Sequence, residues 1–152
     1  MTRSKRMQPV VNVAASREQA AARQLGECQS EIDQRKARLA ELIAYQSEYA
    51  QRFESSGGGG LDMARMQDYR VFLARLNDAI VQQRRLVEAA EIDYVKKRNH
   101  WLGVRQQAQA IDKAVDRFKR DELRVEGRRD QADTDERTTQ SHARRDSESG
   151  EH

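Results

Sequence analysis

The chain has 152 residues, 35% charged and 37% hydrophobic but only 5% aromatic, with one proline, one cysteine and a formal net charge of +3. That composition excludes a thick globular core and an internal disulfide, and it leaves long solvated helices with a narrow apolar seam, an extended rod. Cys28, the three histidines (His100, His142, His152) and the carboxylates show no metal-ligand spacing, so no metal or cofactor is expected; no apolar run approaches the roughly 20 residues that span a bilayer, and the basic start MTRSKR precedes no signal region, so the expected compartment is the cytoplasm.

In chain order, residues 1–8 read as a flexible basic start. A first helix is expected over 9–54, opening near Pro9 because a first-turn residue has no intrahelical use for an amide hydrogen. Its apolar residues recur at alternating steps of three and four through Val11, Ala14, Ala21, Leu25, Cys28, Ile32, Leu39, Leu42, Tyr49 and Phe53, with Glu18, Arg35 and Gln46 as the exceptions. Residues 55–61 hold half of the eight glycines and read as a Ser/Gly hairpin turn. A second, longer helix is expected over 62–125. Its seam runs through Met66, Tyr69, Leu73, Leu76, Ile80, Val87, Ala90, Tyr94, Trp101, Val104, Ala108, Ile111, Val115 and Phe118, with Gln83, Lys97 and Glu122 as exceptions. Gly26 and Gly103 fall inside these helices at a cost of about 1 kcal/mol each against alanine. Residues 126–152 are polar, of mixed charge and without seam residues, and read as a disordered tail.

Two such helices joined by about eight residues fold back as an antiparallel coiled-coil hairpin, since a parallel pair needs a connection as long as the rod. The fold class is therefore all-α, with unequal arms. If paired residue numbers add to 115, apolar seam positions face one another and Glu18 faces Lys97, a pair that would set the register. In that register Pro9 lies beside Gln106, and the second helix runs on for roughly 20 residues, about 30 Å, without an intramolecular partner. Ala108, Ile111, Val115 and Phe118 stay apolar through this overhang, which points to insertion into a partner or to self-association.

The order AARQLGE (Ala21 to Glu27), LIAYQSEY (Leu42 to Tyr49), glycine-containing tip, DYRVFLARLNDAI (Asp68 to Ile80) and Trp101 resembles the FliJ family, the small coiled-coil component of the bacterial flagellar export apparatus. The resemblance covers most of residues 10 to 118. It implies a stalk resembling the shaft of rotary ATPases: the end with both termini sits in the pore of the hexameric export ATPase FliI, and the rest projects toward the export gate protein FlhA. It implies an activator with no catalytic site, acting in flagellar protein export and assembly, located in the cytoplasm and peripherally at the cytoplasmic face of the membrane. By matching motifs, the family's gate-binding surface falls on Phe72, Leu76, Ala79 and Gln83, where the family's polar position can be histidine. Leu76 and Gln83 are also seam positions, and Phe72 stands just outside the seam. The overhang residues Ala108 to Phe118 would be the ATPase-ring contact, and export chaperones are further candidate partners.

Catalysis finds no support, because the chain has no Gly-rich phosphate loop ending in Lys and Ser or Thr, and Cys28 on a seam position reads as core before nucleophile. The sequence pI of 9.2 raises nucleic-acid binding as a rival. Acidic residues interleaved with basic ones along both arms describe a solvated surface better than a phosphate-tracking stripe. A generic coiled-coil adaptor and the stalk of a virulence type III secretion system share the architecture and stay open as alternatives, as does self-association of the long seams.

Overall fold

The computed structural model describes residues 1–55 and 63–150. The chain is all-α: α1 spans Arg3–Ser55 and α2 spans Met63–Ser149, packed together as a helical hairpin. The expected turn lies, apart from Ser55, outside the described residues. Two compact units divide the chain, a terminal unit of Met1–Arg17 with Arg105–His152 and a hairpin unit of Glu18–Val104.

The heptad reading locates the contact face residue by residue. Every seam position named above, including Glu18, Arg35, Gln46, Gln83, Lys97 and Glu122, is buried or half-buried; among the other described residues only Ser4, Met7, Ala50, Phe72, Ala79 and Ala114 are not fully exposed. The core is thin, as two helices dictate. Ala21, Ile32, Leu76, Ile80, Val87, Ala90, Ala108 and Val115 are buried, and no large side chain among the described residues is completely removed from water. Gly26 and Gly103 have open space where a Cβ would stand, so neither glycine is required for packing.

Within the hairpin unit the helices run antiparallel, but the register differs from the expected one. The Cys28 thiol donates to Asp93, the Arg35 guanidinium donates to the Leu86 carbonyl, Gln46 donates to Asn77, and Tyr49 and Phe53 pack on Phe72 and Tyr69. The numbers in these pairs (28 with 93, 35 with 86, 46 with 77, 49 with 72, 53 with 69) add to about 122 instead of 115, a displacement of one heptad, or roughly 10 Å along the axis. Glu18 and Lys97 are therefore not brought together and form no ion pair; each stays half-buried on the seam.

The cause is the balance between one partly exposed ion pair and several polar and aromatic layers. An ion pair of the Glu18–Lys97 kind is worth about 0–1 kcal/mol. In the observed register Arg35 donates to the Leu86 carbonyl at 2.8 Å, and Gln83 donates to the Arg35 carbonyl at 3.1 Å. Arg35 and Gln83 thus tie the two backbones reciprocally across the seam. In the expected register Arg35 would have met Ile80, and Phe53 would have met Asp62.

Both helices also extend past their expected ends. α1 begins at Arg3, not at Pro9, and Pro9 lies inside it. Its ring removes one donor, leaving the Lys5 carbonyl without its usual helical partner. α2 runs to Ser149 instead of stopping near Val125, so the segment expected to be disordered is helical up to that point. Residues 126–149 are all exposed, with Thr134, Thr138 and Thr139 bonding back to carbonyls four residues earlier.

A chain ended after Val125 is expected to keep its melting temperature, because residues 126–149 bury nothing, while losing the helical ellipticity of about 24 residues. An unchanged ellipticity per molecule would show that this segment contributes no helix in solution.

Candidate interaction surfaces

At the end of the hairpin unit nearest the glycines, the sequence supplies five aromatic residues on two facing helices. Tyr49 stacks on Tyr69 at 5.4 Å, Phe53 stacks on Tyr69 at 3.9 Å, and Phe72 packs against Tyr49 at 4.3 Å and edge-on against Tyr45 at 5.8 Å. Each such pair adds about 0.5–1.5 kcal/mol beyond area burial. The cluster explains why an end with few aliphatic residues stays paired.

Of the four residues matched to a gate surface, Phe72 belongs to this cluster, and Leu76, Ala79 and Gln83 follow it along α2. Leu76 is buried in the seam, and Gln83 is committed to the Arg35 carbonyl. Phe72 and Ala79 are half-buried at the edge of the seam. A shallow groove lined by Arg38, Leu42, Tyr45, Phe72, Arg75 and Leu76 brings Phe72 and Leu76 onto one surface. Tyr45, 45% exposed, joins this surface from beside the seam, as Phe72 does.

In the terminal unit, Ala108 and Val115 are buried, and Ile111 and Phe118 are half-buried. This corrects the expected overhang: with α1 starting at Arg3 and the pairing one heptad further along, the stretch from Ala108 to Phe118 has an intramolecular partner. The contact ends on a polar closure. Glu122 accepts from the Ser4 amide (2.9 Å) and from the Ser4 hydroxyl (2.7 Å), and the Arg3 guanidinium lies 4.8 Å from the centre of the Phe118 ring. The Lys5 amide also reaches the Thr2 hydroxyl at 3.4 Å. Glu122 thereby satisfies a first-turn donor of α1 that has no intrahelical acceptor. The signal for this pairing is present in the sequence, where Met7 and Ser4 continue the steps of four and three back from Val11.

Cys28 is half-buried on the seam; burial and the neighbouring Asp93 carboxylate push its thiol pKa up, away from the thiolate a nucleophile needs. Among the described residues no group of His, Cys, Asp and Glu is arranged to hold a metal ion, and no helix is long and apolar enough to cross a membrane.

The Ser4 amide and then the Ser4 hydroxyl hold the Glu122 carboxyl below its ordinary value. A depressed carboxyl stabilises the folded state above its unfolded pKa of about 4.3, and that contribution is lost as pH falls through the folded value. Amide exchange at Ser4 should therefore accelerate on acidification below that range relative to the hairpin unit, and Glu122→Gln should remove the difference. Identical pH dependence in both proteins would exclude the closure.

The family model described as "Flagellar FliJ protein" matches residues 3–147. The flagellar FliJ protein of Escherichia coli (strain K12) is 32% identical over 118 residues, covering 76% of this chain and 79% of that protein. The flagellar FliJ protein of Salmonella typhi is 34% identical over 118 residues, with the same shares of the two chains. No solved structure matches the chain. With a family model spanning both helices and relatives above 30% identity over most of the chain, this protein belongs to the flagellar FliJ family.

Proposed function

We infer that this chain is the non-enzymatic central stalk and activator of the flagellar type III export ATPase FliI, linking the ATPase ring to the export gate protein FlhA in flagellar protein export and assembly. The observation that carries the reading is the family match over residues 3–147. The two packed units support it, since they provide separate candidate surfaces for two partners. The protein would work in the cytoplasm, peripherally at the cytoplasmic face of the membrane, with export chaperones as further partners.

The terminal unit is assigned to the ATPase ring. Because Ala108 and Val115 are buried, their part is to hold the helices together; Ile111 and Phe118, half-buried, are the seam residues within reach of a ring subunit, beside the exposed Val10 and Val13 of α1. Asymmetry suits this role, since a two-helix shaft offers different faces to the six equivalent subunits of a ring and can bias their nucleotide states. The gate contact is assigned to Phe72, with Ala79 beside it and Leu76 and Gln83 supporting the helix from the seam. An aromatic residue at the rim of a packed pair is the type of side chain that anchors interfaces.

Mixing the purified chain with FliI and following ATP hydrolysis should give stimulation. Neither stimulation nor co-purification would leave an adaptor role instead. Phe72→Ala should weaken FlhA association by about tenfold, the size of one modest hot spot, with ATPase stimulation retained. Phe118→Glu should do the reverse, abolishing stimulation while the hairpin unit keeps its melting transition. Loss of both activities in both variants would mean that the two surfaces are not separate.

A further inference from the structure

Within the hairpin unit, α2 carries a second apolar line on the side away from its seam. Ile92, Val95 and Leu102 are 60%, 52% and 37% exposed, and Val81 continues the line. At spacings of three and seven residues, Ile92, Val95 and Leu102 fall within about 80° of one another around the helix, so they form one face. No other described residue of this unit covers them.

Cations flank that face on both sides and outnumber the carboxylates near it. Arg84, Arg85, Lys96 and Arg98 are exposed along its edges, and from Tyr94 to Val104 the chain has three cations and no carboxylate. Of the nearby acids, Glu91 is paired with Lys36 at 3.4 Å and Asp93 accepts from the Cys28 thiol, leaving Glu88 as the carboxylate on the face. Lys36 offsets Glu91, and Asp93 keeps its charge on the side of α2 that faces Cys28.

The relief of the face selects the occupant. Three isolated aliphatic side chains on a convex helix offer far less than the roughly 800 Å² per partner of a stable protein interface. A fluid surface needs no matching groove: aliphatic groups enter the boundary between head groups and acyl chains, while Lys and Arg stems reach phosphates from either side. We propose that the outer face of α2, with Ile92, Val95 and Leu102 as the apolar line and Lys96 and Arg98 as its cations, docks on an anionic phospholipid bilayer, lying on it and not crossing it. This assignment is independent of the ATPase and gate contacts.

The test is cosedimentation of the full chain with extruded vesicles of phosphatidylglycerol and phosphatidylcholine in equal parts, against phosphatidylcholine alone. Binding is expected to the anionic vesicles only, with release at high salt. Lys96→Glu with Arg98→Glu should abolish it, Ile92→Ser with Val95→Ser should lower it about tenfold, and charge reversal at Arg3, Lys5 and Arg6 should leave it in place. Should the serine variant lose helicity, Ile92→Ala with Val95→Ala keeps the helix and the same expectation. The proposal is overturned by absent or equal binding to the two vesicle types, by binding unchanged in the outer-face variants, by loss confined to the Arg3, Lys5 and Arg6 variant, or by an acidic protein that occupies this face while vesicles do not bind.

Discussion

Two long helices with a nearly uniform heptad can pair in several registers about seven residues apart, because apolar positions meet apolar positions in each of them. What selects one is the small set of side chains that cannot accept the wrong neighbour. Here Arg35 and Gln83 exchange hydrogen bonds with the opposing backbones, Gln46 meets Asn77, and five aromatic rings interlock at Tyr45, Tyr49, Phe53, Tyr69 and Phe72. The aliphatic seam gives the pair its stability, and these layers give it its alignment. Within the hairpin unit, the face of α2 that is left to the solvent follows from them.

The seam was legible in the sequence position by position because heptad spacing is a local property, set by the 3.6-residue turn. The register was not, because it depends on energies between residues far apart. Reading Glu18 opposite Lys97 gave weight to a charge pair whose desolvation and entropy nearly cancel its attraction. The polar seam residues that looked like exceptions, Arg35, Gln46 and Gln83, are the ones that fix the alignment. The start of α1 was missed for a related reason: a proline suggests a first turn, but a carboxylate 118 positions away, Glu122, closes the helix six residues earlier. The tail was misread because lack of a seam argues against packing and not against a helix rich in charged residues.

The gate surface was legible only through resemblance. Phe72, Leu76, Ala79 and Gln83 carry no local pattern that marks a surface, and the structure divides them by burial, with Phe72 and Ala79 at the edge and Leu76 and Gln83 committed to the pairing. The same division applies to Ala108, Ile111, Val115 and Phe118. In a two-helix protein most large side chains serve the seam, so a partner is met by residues beside it or on the outer faces. Tyr45 and the line from Ile92 to Leu102 belong to that class, and heptad analysis is blind to them by construction.

The most direct test of the alignment uses the native thiol. Cys28 Sγ lies 3.4 Å from an Asp93 carboxylate oxygen, so oxidation of Asp93→Cys should form a disulfide with Cys28 within one chain, detected as a monomer without free thiols on a non-reducing gel. In a register one heptad away, position 93 stands roughly 10 Å from Cys28 along the axis. Retention of both thiols under oxidation, or crosslinks only between chains, would contradict the pairing from which the surfaces described above are derived.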